Sequence, residues 1–236
     1  MALILVTGAS AGLGLNAATE LADDGHDVVV HARTRDRVPV HGRAPWKGAV
    51  VGDLADLDET RDAARQANEF GRFDAVIHNA GVLRSAQVVP VNTLAPYVLT
   101  ALMHKPGRLI YLSSSMHRGG STDLRRLDTE RATYSDTKLW VTALSTACAH
   151  RWADTTSHAV DPGWVPTRMG GAGAPDDLTE GHRTQTWLAT HPDVDPVTGG
   201  YWHHRHTQTP HPAATDPVFV ERLVRALEAR TGVHLG

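Results

Sequence analysis

A short apolar run, Leu3-Ile-Leu-Val6, empties straight into Thr7-Gly-Ala-Ser-Ala-Gly-Leu-Gly14, and a helical pattern carrying Leu15, Ala18 and Leu21 follows as far as Gly25. Apolar side chains without polar alternation suit a strand buried on both faces. Glycines in the turn that follows permit positive φ and close backbone approach, and the start of a helix offers unpaired N–H groups to an anion. The spacing is Gly-x3-Gly-x-Gly, which differs from the G-x-G-x-x-G dinucleotide fingerprint. An ordinary strand-to-helix turn needs fewer glycines, so a phosphate-binding turn is the stronger reading.

The same alternation continues along the chain. Further strands are expected at 28–30, 48–51, 73–78, 108–112, 156–160 and 199–202, and helices at 56–70, 91–103, 132–151 and 178–189. Strands that alternate with helices pair in parallel through right-handed crossovers. The expected fold is therefore α/β, one doubly wound parallel sheet of about seven strands with helices on both faces. Residues 1–236 are read as a single unit, with a glycine-rich segment near 164–190 and an amphipathic C-terminal helix near 217–230 that carries Val218, Phe219, Leu223, Val224 and Leu227. Residues 38–46, with Pro39, Gly42 and Pro45, read as loop. In such sheets ligands bind beyond the carboxyl ends of the strands. Segments 8–14, 79–81, 113–115 and 162–167, with Asp53, all fall there.

Tyr134 and Lys138 stand four residues apart on one expected helix, so their side chains lie one above the other. A free phenol titrates near about 10, and a fixed positive neighbour lowers that value. The pair is a candidate for passing a proton to or from a substrate oxygen. Alone, Tyr-x-x-x-Lys is most often solvated helix surface. The convergence of the other segments on one edge gives it weight.

Composition removes several classes of function. A net charge of -3 offers no electrostatic case for nucleic acid or an anionic membrane. No apolar run approaches the roughly 18 residues of a membrane span, and the first run lacks the basic start of a signal peptide. The one cysteine, Cys148, permits no intrachain disulfide and fits a reducing, cytoplasmic setting. His203-His204-Arg205-His206 lacks a spaced carboxylate or thiolate, so it reads as surface loop and no metal is expected.

The second strand ends at His31-Ala-Arg33-Thr-Arg35, with no acidic residue where a cofactor lacking a 2′-phosphate is usually held. Guanidinium suits that phosphate, so NADP(H) is favoured over NAD(H), with Arg33 as the contact. Asp53 either meets an adenine amino group or caps the following helix.

With these pieces placed, the chain resembles the short-chain dehydrogenase/reductase family from Leu3 to about Trp202, over Thr7-Gly-x3-Gly-x-Gly14, Asp53-Leu54, Asn79-Ala-Gly81, Asn92, the serine run, Tyr134-x3-Lys138 and Pro162-Gly163 with Thr167. Ser-Ser-x-x-His at 113–117 and Gly-Gly-Tyr-Trp at 199–202 resemble its retinol-dehydrogenase-like and WW-domain-oxidoreductase-like branch. The resemblance implies a Rossmann-type sheet and an oxidoreductase interconverting a carbonyl and an alcohol on a small organic substrate. It implies that Ser114 binds the substrate oxygen, with Ser113 and Ser115 as competing registers. Tyr134 would act as general acid or base, Lys138 would tune it and hold the nicotinamide ribose, and Asn92 would complete a proton relay. Thr7, Gly8, Ser10, Gly12, Leu13 and Gly14 would line the pyrophosphate turn, Asp53, Leu54, Asn79, Ala80 and Gly81 the adenosine side, and Pro162, Gly163, Val165 and Thr167 the nicotinamide.

Two departures stand out: the 81–92 connection is short, and 39–46 replaces much of the expected third helix. Both trim faces on which relatives dimerise, although a homo-oligomer, dimer or tetramer, remains compatible. The segment after Thr167 is expected to choose the substrate as a lid or to act as a passive linker, with Trp164, Met169 and Trp187 as candidate apolar walls. Two further readings use the same fold: a non-catalytic NADP(H)-binding regulator, and an epimerase or dehydratase.

Overall fold

The computed structural model describes residues 1–40, 42, 45–84 and 86–236. Of the expected loop at 38–46, residues 41, 43 and 44 lie outside them.

Among the described residues, eight strands form one sheet: β1 Leu3–Val6, β2 Asp27–Ala32, β3 Gly48–Val51, β4 Ala75–His78, β5 Arg108–Leu112, β6 Thr156–Asp161, β7 Tyr201–His203 and β8 His206–Thr207. Their spatial order is β3-β2-β1-β4-β5-β6-β7-β8. The first seven are parallel and β8 runs antiparallel to β7. Among the described residues, five α-helices connect them, α1 Gly12–Asp23, α2 Leu57–Asn68, α3 Ala95–Leu102, α4 Tyr134–Arg151 and α5 Glu180–Thr190, and α6 Pro217–Thr231 follows the last strand. The order reverses between β1 and β4, the switch point at which a doubly wound sheet opens a crevice.

Each face of the sheet carries its own core. Leu5, Val29, Val76, Leu109 and Tyr111 pack against α2, α3 and α4, with α6 laid over α4. Ile4, Val6, Val28, Val30, Ile77 and Ile110 pack on the other face, against α1 and α5. Continuously apolar strands are thus buried on both sides, as the runs in the sequence require. α4 is buried without interruption from Asp136 to Cys148. A helix surrounded in this way belongs to the interior, and its side chains are held accordingly.

The expected seven strands become eight because β7 turns back on itself. His204 and Arg205 both hold positive φ, 48° and 63°. Two such residues make the tight hairpin whose twist matches the flanking strands. Arg205 is anchored to α5, its N–H donating to Thr184 Oγ1 at 3.1 Å and its guanidinium lying 3.4 Å from Glu180. The expected first turn of α3 is a π-helical stretch, Pro90–Leu94, with Asn92 at its centre. On α6 the buried face is Phe219, Val220, Leu223, Val224 and Leu227, while Val218 is 65% exposed. The inward residues follow helical spacing, and Val218 falls on the wet side of it.

Candidate active site

The glycine turn has no slack. Gly8 and Gly12 hold φ of 64° and 59°. A Cβ on Gly8 would lie 2.8 Å from Ala80 Cα, and one on Gly14 would lie 2.3 Å from Asn79 Nδ2. Asn79 donates to Thr7 O at 2.9 Å, and Ala80 N donates to Thr7 Oγ1 at 3.0 Å, so β4 fastens the turn that follows β1. Beyond the turn, α1 begins at Ala11 with no side-chain cap and no acid in its first turn. Its uncapped first turn starts at Gly12 and Leu13, directly after Ser10 and Ala11. A backbone cradle with a positive helix end and no competing carboxylate fits a pyrophosphate.

On the adenosine side, Arg33 Nε lies 3.7 Å from Asp53 Oδ2. The two residues named for this region are therefore partners, and both are partly exposed. The cap of α2 is Asp56, which accepts from Asp58 N and Glu59 N. Asp53 instead accepts from Ala55 N at 2.9 Å, within its own turn. Leu54 is buried in the core under α2.

A capping box places Tyr134 as the first residue of α4. Thr133 Oγ1 accepts from Asp136 N at 3.2 Å, and Asp136 Oδ2 accepts from Thr133 N at 2.8 Å. Asp136 is further held by Ser121 N at 2.7 Å and Arg126 at 3.0 Å. Lys138 follows one turn on, its Nζ 5.4 Å from the Tyr134 ring centre and donating to Leu112 O at 2.6 Å. Of the three serines, Ser113 is turned inward, its hydroxyl 2.6 Å from Thr142 Oγ1, and Ser115 is exposed. Ser114 Oγ accepts from Met116 N at 3.3 Å, and its hydroxyl stands near enough to Tyr134 to act on the phenol's titration.

The electrostatics differ from the expectation of a lowered tyrosine. Burial pushes the Tyr134 phenol up to about 12, against the pull of the Ser114 hydroxyl, and the buried Asp161 carboxylate adds to the rise. Burial lowers Lys138 to about 8, and Asp161 opposes that shift. The spacing supplied the cationic neighbour, but burial sets the direction of the shift. Asn92 is engaged on both sides of its amide, accepting from Val82 N at 2.8 Å and donating to Val82 O at 2.9 Å and Thr137 Oγ1 at 3.1 Å. It reaches the site through Gly81, where a Cβ would lie 3.4 Å from Asn92 Oδ1 and 3.6 Å from Lys138 Nζ.

Asp161 ends β6 beside Pro162 and Gly163, and Gly163 N donates to its Oδ1 at 3.1 Å. The sequence shows an acid there without showing that the sheet buries it near Lys138. The following segment is knitted together. Trp164 N donates to Asp176 Oδ2 at 2.6 Å, and the Trp164 indole donates to Gly170 O at 2.8 Å. Val165 is buried, and Thr167 lies 3.7 Å from a Cβ built on Gly12, which closes the turn from above. Trp164 and Met169 are exposed at this rim. Trp187 instead packs edge-on against Trp202, their ring centres 5.2 Å apart, inside the sheet face.

His117 was legible only as part of a pattern. It is fully buried, Nδ1 donates to Ser114 O at 2.7 Å, and Nε2 accepts from His211 N at 2.9 Å. Its ring leans on Tyr201 at 4.6 Å. The residue thus steadies the backbone of Ser114 from below. Among the described residues, no group of histidine, cysteine and carboxylate side chains could hold a metal ion. The adjacent His203 and His204 rings stack on each other at 3.8 Å. No described helix is long and apolar enough to cross a membrane.

Residues 2–177 match the family model described as short chain dehydrogenase. The chain belongs to the short-chain dehydrogenase family and is an oxidoreductase built to bind a nicotinamide cofactor. It is 38% identical over 256 residues to "Short-chain dehydrogenase chyC" of Penicillium rubens, spanning 100% of this chain and 99% of that one. Retinol dehydrogenase 13 of Mus musculus is 27% identical over 270 residues, spanning 93% of this chain and 80% of its own. Among solved structures, a blue fluorescent protein from a metagenomic library in complex with NADPH superposes with a TM-score of 0.71 at 23% identity, over 86% of this chain and 95% of that one.

Proposed function

We propose that the protein is an NADP(H)-dependent carbonyl reductase and alcohol dehydrogenase acting on a small organic substrate. The observation that carries the reading is the meeting of Ser114 with Tyr134, one helical turn from Lys138, at the edge where the glycine turn opens. A bound nicotinamide supplies or takes the hydride. Ser114 donates a hydrogen bond to the substrate oxygen, on which negative charge grows during reduction. Tyr134, kept in its protonated form by burial, delivers the proton to that oxygen. Lys138 holds a positive charge beneath the phenol, and Asn92 fixes the wall formed by Gly81 and Val82.

Arg33, just past β2 and partly exposed beside Asp53, supports a 2′-phosphate and hence NADP(H). Residues 164–190 form the substrate side, with Trp164 and Met169 as an apolar rim. The Tyr/Lys pair stands intact, which argues against a purely regulatory protein. A screen of aldehydes and ketones read as loss of NADPH absorbance tests the reading. Stoichiometric NADPH consumption that disappears in Tyr134→Phe is the expected result. NADPH binding without turnover across the screen would favour the regulator.

A further inference from the structure

The next-to-last residue of β2 is a histidine that the chemistry above does not use. His31 is 4% exposed and sits between the two strands that flank its own. On one side its Nδ1 accepts from Gly8 N at 3.1 Å. On the other its Nε2 meets Gly52 O at 3.0 Å. A carbonyl oxygen only accepts, so Nε2 carries the proton and Nδ1 is bare. The backbone contributes as well, with Ala9 N donating to His31 O at 2.9 Å. One imidazole therefore spans from the glycine turn after β1 to the end of β3, where Asp53 follows.

We propose that His31, as its neutral Nε2–H tautomer, is a positioning residue for the cofactor, joining the pyrophosphate turn to the adenosine side of the site. This rests on the nicotinamide-binding reading above. The turn depends on the link because Gly8 cannot settle elsewhere: its φ is 64° and Ala80 stands against it. Gly52 is equally confined, since a Cβ there would lie 3.0 Å from Glu59 O on α2. An imidazolium would aim a second N–H at the Gly8 N–H and break the link. The charged groups around His31 are Asp53, its partner Arg33, and Glu59, whose carboxylate accepts from Asp53 N at 2.7 Å. Asp53 favours protonation of His31, but burial outweighs it and keeps the ring neutral below its ordinary range.

The test is a fluorescence titration of NADPH and of NADH against the full chain between pH 8 and pH 5. The His31→Leu variant removes both hydrogen bonds, and its NADPH Kd at pH 8 is expected to rise roughly tenfold or more. The His31→Asn variant keeps an acceptor for Gly8 and does not titrate. It is expected to recover most of the affinity at pH 8 and to lose the acid weakening that the wild type shows with both nucleotides. Equal Kd values for wild type and His31→Leu at pH 8 would overturn the proposal. So would an acid limb of the same size in His31→Asn as in the wild type, or one seen with NADPH alone, which would belong to its 2′-phosphate. If His31→Leu does not fold, the pH profile of His31→Asn decides alone. Wild-type protein that binds neither nucleotide would defeat the nicotinamide reading itself and this proposal with it.

Discussion

Lys138 donates a 2.6 Å hydrogen bond to the carbonyl of Leu112, the last residue of β5. The ammonium of α4 is thereby tied to the strand that delivers Ser114, and strand and helix cannot shift independently at the site. Burial depresses this lysine to about 8. Its positive charge is present below that pH and is lost above it. Reductase activity is expected to fall through an alkaline limb near pH 8, read from kcat/KM against pH. Lys138→Met should remove the limb and most of the activity together.

Tyr134→Phe would remove the proposed proton donor while leaving the ring in place. Losing a general acid costs on the order of 100-fold to 10,000-fold in kcat. NADPH affinity is expected to stay within about threefold of wild type, because a single hydroxyl contributes little to a ligand of that size. Steady-state kinetics beside a binding titration separates the two quantities.

Arg33 and Asp53 form a half-exposed pair, whose contribution to stability is below about 1 kcal/mol. Arg33→Ala should therefore leave the melting temperature nearly unchanged. Removing a charged hydrogen bond to a phosphate costs about 1.5–3 kcal/mol, so NADPH affinity should drop roughly tenfold or more while NADH affinity holds. Equal losses for both nucleotides would place the 2′-phosphate elsewhere.

Gly14→Ala tests the turn itself. The added Cβ would meet Asn79 Nδ2 at 2.3 Å and Gly8 O at 2.6 Å. The amide can rotate only by giving up its bonds to Thr7 O and Gly8 O, and the backbone oxygen has nowhere to go. A loss of about 1–3 kcal/mol in urea unfolding is expected, together with loss of nucleotide binding.

Of the buried histidines, His158 and His78 are shifted far enough to weaken the fold in acid. Burial lowers His158 to about 4 and His78 to about 3. Both folded values lie below the ordinary one, so the stability tied to their neutral forms is complete above about pH 6.5 and drains away as pH falls toward 4. The loss by pH 5 is up to about 2 kcal/mol for each residue. Urea midpoints measured at pH 7, 6 and 5 should decline steadily. His158→Asn, which cannot titrate, should flatten part of the slope.

The parallel sheet was readable because its strands are unbroken apolar runs, each emptying into a small or polar turn. Val6 before Thr7, His78 before Asn79 and Leu112 before Ser113 mark the edge where ligands bind. What escaped notice lacked that signature. His206 and Thr207 are polar and exposed, so nothing in the pattern announces β8. The π-helical stretch around Asn92 shifts a helix by one residue, too little to disturb its periodicity. The spacing of Tyr134 and Lys138 showed that they meet. It could not show how deeply α4 is buried, and burial sets the direction of both titrations. Nothing in the sequence marks His31, because a bridge between β1 and β3 exists only once three strands lie side by side.

The antiparallel return at His204 and Arg205 has a bearing on how the molecule meets its neighbours. An open parallel sheet leaves its last strand with a row of free donors and acceptors, an invitation to unwanted pairing. Here that rim is closed by a strand of two polar residues, too brief to serve as a template for another chain. The sheet's outermost border on this side thus presents another chain with only two residues of backbone to pair with.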